Sequence, residues 1–87
     1  METEIAKKYL QVFLDDVISE KLQDAFETPI SFKVENISDM PNGNQRTVKV
    51  SSTPKLDDLN LVNTIKNDIY TFLKMFQFDK TVLIYLN

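Results

Sequence analysis

Cysteine and histidine do not occur in this 87-residue chain. Their absence removes the commonest nucleophile, general base and transition-metal ligands together, and with them any disulfide framework or thiol redox couple. An enzyme built on this sequence would work with carboxylates, lysine, tyrosine or hydroxyls alone, so the chain reads as non-enzymatic and as holding no cofactor. Glycine occurs once, at Gly43. Phosphate-cradling loops, dinucleotide fingerprints and the G-x-x-G clamp of some RNA binders each need several glycines for close backbone approach to phosphate, so none is encoded. No run approaches the roughly 20 apolar residues of a membrane span. The opening METEIAKKYL starts with acids where a secretory leader carries positive charge, so the expectation is a cytoplasmic protein with no membrane partner. Arg46 is the only arginine. That preference for lysine, with frequent Asn and Ile, is the usage of an AT-rich genome such as that of a low-GC bacterium or a phage.

What is present is ordinary globular composition, 43% hydrophobic and 26% charged, which points to one folded domain over residues 1–87. A chain this short buries only about two-thirds of the surface its unfolded form exposes, so self-association is a natural route to further stability. The net charge of −3 argues against broad affinity for nucleic acid, which requires a basic surface.

From about Thr3 to Phe26 the chain is rich in helix formers and free of Gly and Pro, and Pro29 closes the segment. The alternation Ile30-Ser31-Phe32-Lys33-Val34 predicts a first strand, and Thr47-Val48-Lys49-Val50-Ser51 a second. Between them, Met40-Pro41-Asn42-Gly43-Asn44 places the single glycine where the chain must reverse. Thr53-Pro54 offers a capping hydroxyl before a proline at a first helical position, with Asp57 and Asp58 near the positive end of the dipole. A second helix is therefore expected to start there, with Val62, Ile65, Ile69, Phe72, Leu73 and Phe76 on its core face. The consecutive apolar run Thr81-Val82-Leu83-Ile84-Tyr85-Leu86 predicts a third strand, either covered on both faces or placed centrally in its sheet, and a central place is expected.

The expected fold is α/β of the α+β type: two helices packed on a three-stranded mixed sheet in the order α-β-β-α-β, with strand order open. In outline this order resembles the smaller KH-like domains. The resemblance covers element order only, and without the G-x-x-G clamp it transfers no residues and no activity.

Two groups of residues are candidates for contact. On helix 1, Leu10, Leu14, Val17, Ile18 and Ala25 form one stripe, with Leu22 at its margin, and this stripe suffices to dock the helix on the sheet. Ile5, Tyr9 and Val12 then fall on another side, with Phe13 between the two, and these four make the expected partner or self-association interface. Leu56, Leu59 and Tyr70 on a second side of helix 2 would either meet them or widen the same patch. On the hairpin, Lys33, Arg46 and Lys49 are expected to form a small basic stripe on the outer sheet face, able to touch phosphate. No aromatic alternates with them as a stacking platform needs, and an edge protected by charge explains them as well. The leading reading is a non-catalytic protein-interaction module, oligomeric, acting as an adaptor, assembly subunit or inhibitor that occludes a partner surface. The alternative is an RNA-binding or ribosome-associated KH-like module using the basic hairpin face. With no His, no Cys and one Gly, titration of the chain with zinc or with ATP is expected to give no saturable heat in calorimetry. A one-site isotherm with either would contradict this reading of the composition.

Overall fold

The computed structural model describes residues 3–25, 29–41, 43, 45–75 and 81–87. The first helix runs through three consecutive stretches, α1 (Thr3–Phe13), a π-helical segment (Leu14–Ile18) and α2 (Ser19–Ala25). It is followed by β1 (Ser31–Asp39), β2 (Gln45–Thr53), α3 (Leu59–Lys74) and β3 (Thr81–Leu86). The α-β-β-α-β order and the three-stranded mixed sheet are those expected from the sequence. Phe26 and Phe76, expected in the two helices, lie outside the described residues. Among the described residues no helix is long and apolar enough to cross a membrane.

The π-helical segment changes which side of helix 1 meets the sheet. The buried residues are Ala6, Leu10, Leu14, Ile18 and Leu22, a row at four-residue steps. In an α-helix each such step overshoots a full turn by about 40°, so the row would wander roughly 160° from end to end. Underwinding at Leu14–Ile18 absorbs much of that drift, and the Ser19 N–H donates to the Leu14 carbonyl five residues back. The expected docking stripe is corrected accordingly. Val17 and Ala25 are exposed, whereas Ala6 and Leu22 are core.

β1 and β2 form an antiparallel hairpin whose register shifts between Val34 and Asn36. The extra residue, Glu35, flips the strand's parity, so that Phe32 and Val34 before it and Ile37 after it all point inward. Gly43 at φ 75° closes the turn, where the Met40 N–H donates to the Gln45 carbonyl at 2.8 Å. Both strands run beyond the expected limits, and β2 extends through Thr53. Thr53 is therefore a strand residue rather than a helix cap. The cap of α3 is Asp58, whose Oδ1 accepts from the N–H groups of Asn60 at 2.9 Å and Leu61 at 3.2 Å. Four further residues of irregular chain are needed to lift α3 from the plane of the sheet onto its face.

The strand order is β1-β2-β3, with β3 parallel to β2 through the α3 crossover. β2 is thus the central strand and β3 an edge, which corrects the expectation of a central β3. The difference lies in what covers the outer face. Val82, Ile84 and Leu86 pack against the core from the inner face, but Leu83 and Tyr85 on the other face are 40% and 49% exposed. α1 packs on β1 and α3 on β3, so the helices form one layer on one side. The core between them joins Leu10, Leu14, Val34, Val48, Val50, Ile65, Ile69 and Leu73, all fully buried.

Ile69→Ala is expected to lower stability by about 2–5 kcal/mol in chemical denaturation, because the site is fully enclosed. Deletion of Asp16 shortens the Leu14 to Ile18 step to three residues, which an uninterrupted α-helix accommodates, so that variant is expected to fold cooperatively. Inserting one alanine after Asp16 rotates Ile18 and Leu22 about 100° off the core face. That variant is expected to unfold at clearly lower denaturant, and equal midpoints for the two would show that the π segment does not set the phase.

Candidate interaction surfaces

The realigned helix carries a second row beside the core row. Ile5, Tyr9, Phe13 and Val17 also recur at four-residue steps, and the underwinding that keeps Leu14 and Ile18 on one face does the same for Phe13 and Val17. Phe13 is half-buried and stacks on Phe72 of α3, with ring centroids 4.4 Å apart and planes 18° from parallel. It belongs to the contact between the helices rather than to an open surface. Ile5, Tyr9, Val12 and Val17 are each 44–50% exposed. An ideal helical wheel places Val17 in the docking stripe, and the π segment moves it to this ridge. Leu56 packs half-buried against the core. Tyr70 lies about 200° round α3 from Phe72, so it does not join the ridge, and the Lys74 ammonium sits 5.2 Å from its ring centre.

On the opposite flank of α1, Gln11 performs a task the sequence did not reveal. Its Nε2 donates to the Phe32 carbonyl at 2.8 Å, and its Oε1 accepts from the Val34 N–H at 2.8 Å. One side-chain amide thereby occupies the donor and acceptor that a neighbouring strand would take from the edge of β1. Asp15 Oδ1 holds the same Nε2 at 3.0 Å and fixes its rotamer. An open groove of about 340 Å³, lined by Glu4, Lys7, Lys8, Gln11 and Val12, runs beside this clamp. Its lining carries both signs of charge, so it selects for neither.

The basic stripe does not form as expected. Arg46 shares its parity with Val48 and Val50, points inward, and is 4% exposed. Its Nε donates to Asp39 Oδ1 at 2.6 Å and its Nη2 to Asp39 Oδ2 at 3.3 Å, a two-point pair across the hairpin. The signal was available, since odd-numbered Lys49 and even-numbered Arg46 cannot share a face of one regular strand. Lys33 and Lys49 do lie on the outer face, but Lys33 has Glu35 Oε2 at 4.0 Å. The Ser51 hydroxyl donates to the other oxygen of Glu35 at 2.7 Å, keeping that carboxylate on the same face. The outer face therefore offers two separated lysines, one of them partly neutralised, beside Leu83 and Tyr85.

No protein-family model, characterised protein or solved structure matches the chain. The surfaces are therefore read from their own geometry.

Arg46→Glu is expected to cost about 3–5 kcal/mol, because it leaves a buried carboxylate facing Asp39. Lys33→Glu and Lys49→Glu are expected to change stability by only about 0.5 kcal/mol each, as for other exposed positions. Denaturant midpoints for the three single variants check this, and an Arg46→Glu chain as stable as the lysine variants would contradict the buried pair.

Proposed function

We propose that this chain is a non-catalytic protein-interaction module that uses the ridge of Ile5, Tyr9, Val12 and Val17 to occupy an apolar groove on a partner. The observation carrying this reading is the exposure of these four residues on a helix whose docking onto its own sheet is already complete. Ile5, Tyr9 and Val12 fall at i, i+4 and i+7, the spacing with which a helix anchors itself in a groove. Exposed Lys8, Asp16 and Glu20 flank the ridge, supplying the polar rim that surrounds an apolar contact. A module of this kind acts by occluding or bridging, as an adaptor, an assembly subunit or an inhibitor.

Energetics set the partner's share of the contact. Complete burial of a large aliphatic side chain contributes roughly 1.5–3 kcal/mol, and half-exposed residues have only part of that left to gain. Association costs several kcal/mol in lost freedom, so the partner must meet the rim as well as the ridge. RNA is the weaker reading because Arg46 is held in the core by Asp39.

The test compares the wild-type chain with a variant carrying Ile5→Ser, Tyr9→Lys, Val12→Thr and Val17→Ser, both used as bait in cells and read by quantitative mass spectrometry. The variant is expected to unfold cooperatively and to lose a protein that wild type retains. Identical captured sets would overturn the ridge as the contact surface. Loss of folding would show instead that these residues support the core.

A further inference from the structure

The two edges of the sheet are treated differently, and the difference points to a second copy of this chain. At β1, the Gln11 amide fills the backbone donor and acceptor of Val34 and Phe32. The bulge at Glu35 then shifts the strand's register and reverses its parity immediately beyond. Capping by a side chain and distortion by a bulge are two ways of stopping a sheet from recruiting another strand. At β3 neither device is present among the described residues. Its register with β2 is unbroken from Thr81 to Leu86, and the segment holds no charge, proline or glycine.

The unfilled hydrogen-bonding groups of β3 can be identified. Just past the strand, the Asn87 N–H donates to the Val50 carbonyl at 3.0 Å, and the Asn87 carbonyl accepts from the Ser52 N–H at 2.8 Å. Asn87 therefore turns its backbone toward β2. By the two-residue alternation of a strand, Leu83 and Tyr85 do the same, and the N–H and C=O groups of Val82, Ile84 and Leu86 face the open edge. Such a row is matched by another extended backbone.

We propose that β3 pairs antiparallel with β3 of a second copy about a two-fold axis at Ile84, joining two three-stranded sheets into one of six strands. An edge paired antiparallel with itself is self-complementary, as a two-fold interface requires. In this register Ile84 faces its own copy, and Val82 and Leu86 face each other, so every outward backbone group is used. On the outer face Leu83 of one chain then lies against Tyr85 of the other, twice, which covers the two apolar side chains the helices leave open. Because β1 is closed by Gln11 and the bulge, pairing stops at two copies and does not propagate into a filament.

Strand pairing alone makes a small contact, and α3 extends it. α3 packs on β3 with Phe72 turned toward α1, so its far side, with Tyr70 and Lys74, lies beside the seam. The same two-fold sets the two α3 helices antiparallel. The Lys74 end of each then lies toward the Asp57 and Asp58 end of the other, a pairing of opposite charges at both ends. This proposal concerns a surface separate from the helix ridge and does not depend on the functional reading above.

The test is sedimentation of the full chain over a range of concentrations, with circular dichroism to verify folding. Wild type is expected at twice the 10.1 kDa chain mass. L83K/Y85K sets lysine against lysine across the seam and is expected to give a folded monomer, whereas L83K/Y85E sets opposite charges there and is expected to restore the dimer. As a second measurement, L83C/Y85C introduces the only thiols in the chain, and oxidation is expected to yield a covalent dimer. Wild type that stays monomeric at every concentration overturns the proposal. A dimer that survives L83K/Y85K but is lost in the ridge variant overturns it as well, since the copies would then meet through helix 1. Loss of partner capture by the ridge variant with its dimer mass unchanged bears only on the ridge.

Discussion

Five apolar residues at strict four-residue intervals, from Ala6 to Leu22, must all reach one sheet, and that requirement shapes the rest of the molecule. An ideal α-helix cannot satisfy it, because its period is 3.6 residues. The π segment at Leu14–Ile18 brings the helix period closer to that of the side chains. With the phase set, Phe13 faces α3 and stacks on Phe72, which fixes the spacing of the two helices. Gln11 is brought within reach of the β1 backbone on the other flank. Helix 1 thus contributes core, interhelical contact and strand cap from three adjacent sides.

The second constraint is that helices cover only one face of the sheet. The hairpin strands answer it with polar outer positions, including Ser31, Lys33, Lys49, Ser51 and Thr53. β3 does not, since it places Leu83 and Tyr85 there. A short apolar edge strand is a hazard to an isolated chain and an asset to a chain that assembles. The contrast between the open β3 edge and the Gln11 clamp at the opposite edge is what the proposed pairing of two copies rests on. The ridge belongs to helix 1, which packs on β1 at the opposite edge of the sheet from β3.

Four of the acids have identifiable partners within the fold. Asp58 caps α3, Asp39 holds the buried Arg46, Asp15 steadies Gln11, and Glu35 lies close to Lys33 and accepts from Ser51. Asp58 accepts from the backbone directly, Asp15 from the side chain that caps β1, and Asp39 and Glu35 from side chains of β2.

Local signals in the sequence determined the element types and their order, because alternation, helical periodicity and the turn at Gly43 are short-range properties of the chain. Exposure of Ile5, Tyr9 and Val12 was legible for the same reason, being a matter of surplus apolar residues on one helix. The start of α3 was misread because Thr53-Pro54 carries a valid capping signal, yet pairing within β2 claims Thr53 and leaves Asp58 to cap. The burial of Arg46 was encoded in its parity with Val48 and Val50, whereas its partner Asp39 could be known only once the hairpin register was set. The position of β3 at an edge, the Gln11 clamp and the shift of Val17 onto the ridge were decided by tertiary structure alone. Each depends on where a distant segment comes to lie, and the residues that specify it are separated along the chain by more than any local pattern spans.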